Sequence, residues 1–205
     1  MKPICAFFLL LMLASMGVAQ TFEPSILMMT GQVIQGKVTG EDSLYIYYDL
    51  KKSNGKTKPK KLDWERVFSI TDEQNVEQVV YMADTTIGNY FTVDEMRYYI
   101  KGEQDAINGY KANWAIFLGV PITGGLGYVL NSSPLVFAVP FVYMVGAALP
   151  KYKMEGKSIT DASLLRQPAY VLGYERTART KRLYKSLISG VVGAGLGVAV
   201  GQLTD

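Results

Sequence analysis

SLISGVVGAGLGVAVGQL, residues 186–203, is the stretch that decides how this chain is organised. Ser189, Gly193, Gly197 and Gly201 recur every four residues, which on a helix places them in one row. Val192, Leu196 and Val200 flank the row, and Gly190 and Gly195 widen the groove beside it. Side chains this small let another backbone come close, the glycine-zipper pattern of helices packed within membranes. The stretch carries no charge, and as a helix it measures about 27 Å, close to one hydrocarbon core. Its packing partner is either elsewhere in the chain or in another copy.

Working outward, residues 150–185 form a basic connector with 9 basic against 3 acidic residues. Arg176, Arg179, Lys181, Arg182 and Lys185 fall just before the apolar helix, so they are candidates for contact with anionic headgroups. Residues 112–149 read as a hydrophobic helical hairpin. Ala112 to Leu130 is the first arm, Asn131-Ser132-Ser133-Pro134 the turn, and Leu135 to Leu149 a shorter second arm. Pro121 and Pro140 would kink these arms unless neighbours satisfy the freed carbonyls. Residues 92–111 read as a connecting helix. Thr92-Val93-Asp94-Glu95 is a capping box, and Val93, Met96, Ile100 and Ile107 lie roughly along one face, with Gly102 and Gly109 weakening the helix.

Residues 20–91 differ in composition, with 11 basic and 14 acidic residues counted through Lys111. Ile34, Gly36 and Val38 alternate with polar residues, as do Leu44, Ile46 and Tyr48 after a Gly40-Glu41-Asp42 turn, which predicts half-buried antiparallel strands. Asn54-Gly55 suits a tight hairpin turn. Leu62 to Ile70 and Val76 to Met82 are two further strand candidates. The expected fold class is therefore α+β. A small antiparallel β-barrel-like module, Sm-like or Src-homology-3-like, precedes a helix and a Gly-rich helical membrane region.

Residues 1–19 read as a signal peptide: Lys2, an apolar run from Ala6 to Ala14, then Gly17-Val18-Ala19 before Gln20. Export places the β module outside the inner membrane. A complete hairpin would then leave the basic connector on that same side, against the positive-inside tendency. Either the apolar region crosses once overall, or the helices sit in a different membrane, or the signal stays attached.

The 205 residues include no histidine, and Cys5 is the only cysteine. Ser-His-Asp and Cys-His catalysis, His or Cys metal sites and disulfides are thereby excluded. Gly55-Lys56-Thr57 imitates the end of a phosphate loop, but Leu50 stands where that motif needs glycine. Asp94/Glu95 and Glu103/Asp105 are carboxylate pairs better explained by capping and solvation than by acid–base work. Gly124-Gly125-Leu126-Gly127 lies in an apolar segment and makes no dinucleotide fingerprint. A net charge of +3 does not point to nucleic acid. Lys51, Lys52, Lys56, Lys58, Lys60 and Lys61 cluster around the hairpin turn. They are either a solvated loop that discourages edge pairing or a contact for anionic lipid or phosphate.

Gly31-Gln32-Val33-Ile34-Gln35-Gly36-Lys37-Val38, then Tyr98-Tyr99-Ile100-Lys101-Gly102-Glu103-Gln104-Asp105-Ala106, and Gly173-Tyr174 with Arg176, Arg179 and Lys181 carry a resemblance. Together they resemble uncharacterised exported envelope proteins of Bacteroidota-type bacteria, which pair a small β module with a Gly-rich hydrophobic region. The resemblance implies an envelope location and no known activity, cofactor or site residues. The expected function is that of a non-enzymatic membrane scaffold or accessory subunit. It would meet membrane lipid and an envelope protein or its own copies, with no nucleic acid and no cofactor. The alternative is a small oligomeric pore of Gly-rich helices.

Overall fold

A computed structural model describes residues 23–52, 54–150, 154 and 156–204. The signal-like segment and Cys5 lie outside the described residues. The fold is α+β, with one unit of strands and one of helices, residues 29–32 belonging with the helices.

Six strands form the first unit: β1 (Ser25–Met28), β2 (Val33–Glu41), β3 (Tyr45–Lys51), β4 (Thr57–Asp63), β5 (Val67–Thr71) and β6 (Glu77–Val79). They make an antiparallel sheet in the order β4-β3-β2-β1-β5-β6. Alternation supplies the core. Ile26 and Met28 from β1, Ile46 and Tyr48 from β3, and Leu62 and Val67 pack together, with Ile34, Val38 and Ile70 around them. β2 serves two neighbours. Its first residues pair with β1 and those from Gly36 onward with β3. A methyl on Gly36 would sit 2.6 Å from the Asp49 carbonyl oxygen, so the crossover needs glycine.

The sheet is open, with β4 and β6 as its edges, which corrects the barrel-like closure expected from the strand count. β4 explains this at one side. It exposes Lys58, Lys60 and Lys61 and contains Pro59, features that end a sheet rather than continue it. The stretch from Leu62 to Ile70 is not one strand either. Leu62 closes β4, a 3-10 turn at Trp64–Arg66 follows, and β5 begins at Val67. Trp64 fixes that turn by donating its ring N–H to the Asp42 carbonyl at 2.8 Å.

Among the described residues the second unit holds four α-helices: α1 (Val93–Gly109), α2 (Asn113–Val129), α3 (Val139–Ala148) and α4 (Pro168–Thr204). The capping box forms. Thr92 Oγ1 accepts from Glu95 N at 3.3 Å, and Glu95 Oε2 accepts from Thr92 N at 2.9 Å. The buried face of α1 differs from the expected one: Met96, Tyr99, Ile100, Glu103 and Ala106 are inside, while Val93 and Ile107 are exposed. Ala112, left-handed at φ 40°, turns the chain through 57° between α1 and α2. Pro140 sits in the first turn of α3, where its missing N–H costs no helical bond.

α4 is the spine, and it does not begin at Ser186. It starts at Pro168 and runs 37 residues, about 55 Å, so half of the expected connector is helix. It is long and apolar enough to cross a membrane. Its first half packs on α1 through glycine at both sides. A methyl on Gly102 would lie 2.1 Å from the Tyr170 carbonyl oxygen, and one on Gly173 2.2 Å from that of Tyr99. Its second half packs on α2 in the same sense: Gly119 meets Ser189, Thr123 meets Gly193, and Asn131, just past the end of α2, meets Gly201. α3 runs the opposite way, with Pro140 against Gly190 and Ala147 against Arg182.

These approaches predict a sharp contrast between two neighbouring glycines. A methyl on Gly197 would fall 2.0 Å from the Gly124 oxygen, whereas nothing lies within 4 Å of one on Gly195. Gly197→Ala should cost about 1–3 kcal/mol by overpacking, and Gly195→Ala should be neutral or slightly stabilising. Thermal unfolding of the full chain in mild detergent checks both.

Candidate functional site

Two seams along α4 and one hairpin in the strand unit hold the chemistry that the sequence singled out. The first seam lies between α1 and the amino-terminal half of α4, where the buried carboxyls of Asp105 and Glu103 meet other polar groups. Asp105 accepts from Thr160 N at 2.9 Å, Thr160 Oγ1 at 2.6 Å and Tyr170 Oη at 2.7 Å. Burial alone would raise its pKa. Those hydrogen bonds and the Lys101 ammonium outweigh it, and the carboxyl is held below the usual range. Glu103, two residues earlier, is also buried but poorly served. Its Oε2 has no hydrogen-bond partner. Arg176 Nη1 donates to Tyr99 Oη at 2.7 Å, and the Tyr99 hydroxyl in turn bonds the Glu103 carboxyl. Burial dominates, and the Glu103 pKa is raised despite the guanidinium nearby.

The basic residues expected to face headgroups are largely spent inside the protein. Lys181 Nζ reaches three carbonyls at the end of α1: Ala106 at 3.2 Å, Tyr110 at 3.3 Å, and Ile107. It thus adds a donor at the helix C-terminus, where Ala106 O already accepts from Tyr110 N at 3.1 Å and the later oxygens lack an intrahelical donor. Lys185 bonds the Lys111 carbonyl and, at 3.2 Å, Asn113 Oδ1. Arg182 is a direct correction to the headgroup expectation, being only 3% exposed. Its Nε donates to Tyr110 Oη at 3.0 Å, and Nη1 to the carbonyls of Pro150 at 2.6 Å and Ala147 at 3.4 Å. Its guanidinium also lies 5.3 Å from the Trp114 ring centroid. Arg176 and Arg179 are exposed on the same helix. The cause is geometric: α4 passes the ends of α1 and α3 and the start of α2, so its cations meet carbonyls there.

The second seam carries the small residues. Ser189, Gly193, Gly197 and Gly201 are all buried; the first three face α2, and Gly201 faces Asn131 just beyond it. Three helices converge on one carbonyl: Ala115 O accepts from Ser189 Oγ at 3.0 Å and from Tyr143 Oη of α3 at 2.7 Å. Thr123, fully buried, turns its hydroxyl back onto the Gly119 carbonyl at 2.7 Å. Sequence reasoning missed Gly102 and Gly173 as a matched contact. Each is a lone glycine in a polar stretch, and only the pairing of helices gives it meaning.

In the strand unit, Lys51, Lys52, Lys56, Lys58, Lys60 and Lys61 are all exposed along the β3–β4 hairpin. Lys51 pairs with Glu23, and Lys61 sits 4.1 Å over the Tyr45 ring. A groove of about 270 Å³ lies where β2 changes partner, lined by Gly36, Val38, Ile70 and Thr71 and bridged by the Lys37–Glu73 ion pair at 2.8 Å. Among the described residues no cluster of three acidic, His or Cys side chains would hold a metal ion. No protein-family model matches the sequence, and no curated protein or solved structure matches it.

The raised pKa of Glu103 means that its stabilising contribution is present below the unfolded carboxyl value and is lost as pH rises through the folded one. Glu103→Gln should therefore stabilise the protein at neutral pH, by about 1 kcal/mol, and flatten the decline expected of the parent as pH rises above the carboxylate range. Arg182→Ala should cost roughly 2–4 kcal/mol, because it strands the Tyr110 phenol and the Ala147 carbonyl inside and leaves the part-buried Pro150 carbonyl without that donor. Denaturation of the full chain across pH measures both.

Proposed function

We propose that this protein is a membrane-anchored scaffold or accessory subunit of the bacterial cell envelope, with its strand module as the partner-binding part in the periplasm. The reading is carried by one observation, an inverted packing in the helical unit. Phe117 is 80%, Phe137 78% and Leu149 80% exposed, whereas Gly119, Gly127, Gly193 and Gly197 lie inside. A water-soluble bundle buries its large apolar side chains. Small residues inside and bulky ones outside suit a bundle whose surroundings are hydrocarbon. The last 19 residues of α4, Ser186–Thr204, measure about 28 Å, and α2 at 17 residues about 25 Å, both near one hydrocarbon thickness. The export-like start of the sequence and its Bacteroidota-type resemblance support the envelope.

The glycine-zipper face is filled by α2 of the same chain, which favours a self-contained anchor. A pore built by that face would need it free for other copies. Direction matters too. α2 and α4 run the same way, so the Asn131–Ser133 turn and the carboxyl terminus share one end, and the connector near Ser163 lies at the other. The basic residues of α4 are compatible with this despite the positive-inside tendency, because Lys181, Arg182 and Lys185 are engaged by carbonyls.

Native mass spectrometry of complexes extracted in mild detergent tests the scaffold. A defined mass that includes a second protein supports it, and a ring of self-copies that passes ions in vesicles overturns it in favour of a pore. Topology is read separately by single-cysteine labelling in a Cys5→Ser background. Ser132→Cys and Gln202→Cys should label from one side of the membrane and Ser163→Cys from the other.

A further inference from the structure

The β3–β4 hairpin has a charge distribution that neither the core nor the anchor accounts for. Seven residue pairs from Tyr45↔Asp63 to Lys51↔Thr57 hold it in register, and β4 is one of the two edge strands. Ile46, Tyr48 and Leu50 on β3 stand opposite Leu62, Lys60 and Lys58, so the apolar row of β3 meets lysine at two of three positions. The turn, with Gly55 at φ 76°, adds Lys52 and Lys56. Lys52, Lys56, Lys58 and Lys60 make no ion pair among the described residues, and Asp49 and Asp63 are the only acids on the two strands.

Strand addition is not what this edge is made for. Pro59 removes a backbone donor, and like charges stand on both sides of it. Nor is it a pocket for a compact anion. The lysines are spread along a strand of seven residues, about 23 Å, rather than converging on one point. A ridge of separated, solvated cations matches a flat and laterally mobile field of negative charge. We infer that the hairpin docks on the anionic headgroups of the bilayer that holds the helical unit. This rests on the membrane reading above. Tethering to that bilayer keeps the local headgroup concentration high, so individually weak lysine contacts add up.

The test uses the full chain reconstituted in vesicles of phosphatidylcholine alone or of phosphatidylcholine mixed with phosphatidylglycerol. Amine-reactive labelling is followed residue by residue, with Lys37, paired to Glu73, as internal reference. Labelling of Lys52, Lys56, Lys58 and Lys60 should slow by about threefold or more in the anionic vesicles. High salt should restore it. Lys58→Glu with Lys60→Glu, both at exposed positions, should abolish the slowing at Lys52 and Lys56 while circular dichroism stays unchanged. Equal labelling in both vesicles, with the chain floating with each, overturns the inference and leaves the membrane reading intact. Protection by soluble polyphosphate in phosphatidylcholine vesicles but not by phosphatidylglycerol overturns the bilayer as its source. A chain that floats with neither vesicle overturns the membrane reading itself.

Discussion

Backbone-to-backbone contact between α4 and α2 sets the terms for the rest of the helical unit. With a would-be methyl on Gly197 only 2.0 Å from the Gly124 oxygen, nothing larger than hydrogen fits between the two helices there. Large apolar side chains are therefore pushed outward, where Phe117, Val192 and Leu196 stand exposed. The interior that remains is made of small and hydroxyl side chains. Its hydroxyls bond local carbonyls, as at Ala115 and Gly119, which satisfies them within the bundle. The seam thus determines what the outside of the bundle must be, and hence what it can be immersed in.

α4 does different work along its two halves. Toward its start it is a receiving surface for polar groups, with Tyr170 held by Asp105 and with Lys181 and Arg182 gathering the carbonyls at the ends of α1 and α3. Toward its end it is a receiving surface for backbone. The two buried carboxyls of α1 respond to pH in opposite senses. Asp105 is fully partnered, and its contribution is lost as pH falls through its depressed pKa. Glu103 is under-partnered, and its contribution is lost as pH rises through its elevated one.

Patterns with a short period were legible in advance, and patterns completed by a distant partner were not. The four-residue spacing from Ser189 to Gly201, the Thr92–Glu95 cap and the alternation of Ile46 and Tyr48 are local, so their faces could be read directly. β4 escaped notice because an edge strand with Lys58, Lys60 and Lys61 lacks the apolar alternation that marks half-buried strands. The start of α4 at Pro168 was hidden because its residues are basic and polar, and their burial depends on α1 lying alongside. The same holds for Arg182. A cation next to an apolar helix resembles a headgroup anchor until the carbonyls of Ala147 and Pro150 are seen beside it.

An inside-out bundle, a spine helix longer than a bilayer is thick, and an open sheet with a basic edge support the proposed account of an anchored binding module. Its central claim is that hydrocarbon touches the outer ring of the helical unit. Photoactivatable phospholipids carrying the reactive group on the acyl chain test this most directly, with adducts mapped by peptide mass after illumination. The account predicts adducts at Phe117, Phe137, Phe141 and Leu196, and none at the α4 face that packs on α2. Adducts absent from all four, on a chain that stays in the aqueous fraction, would contradict it.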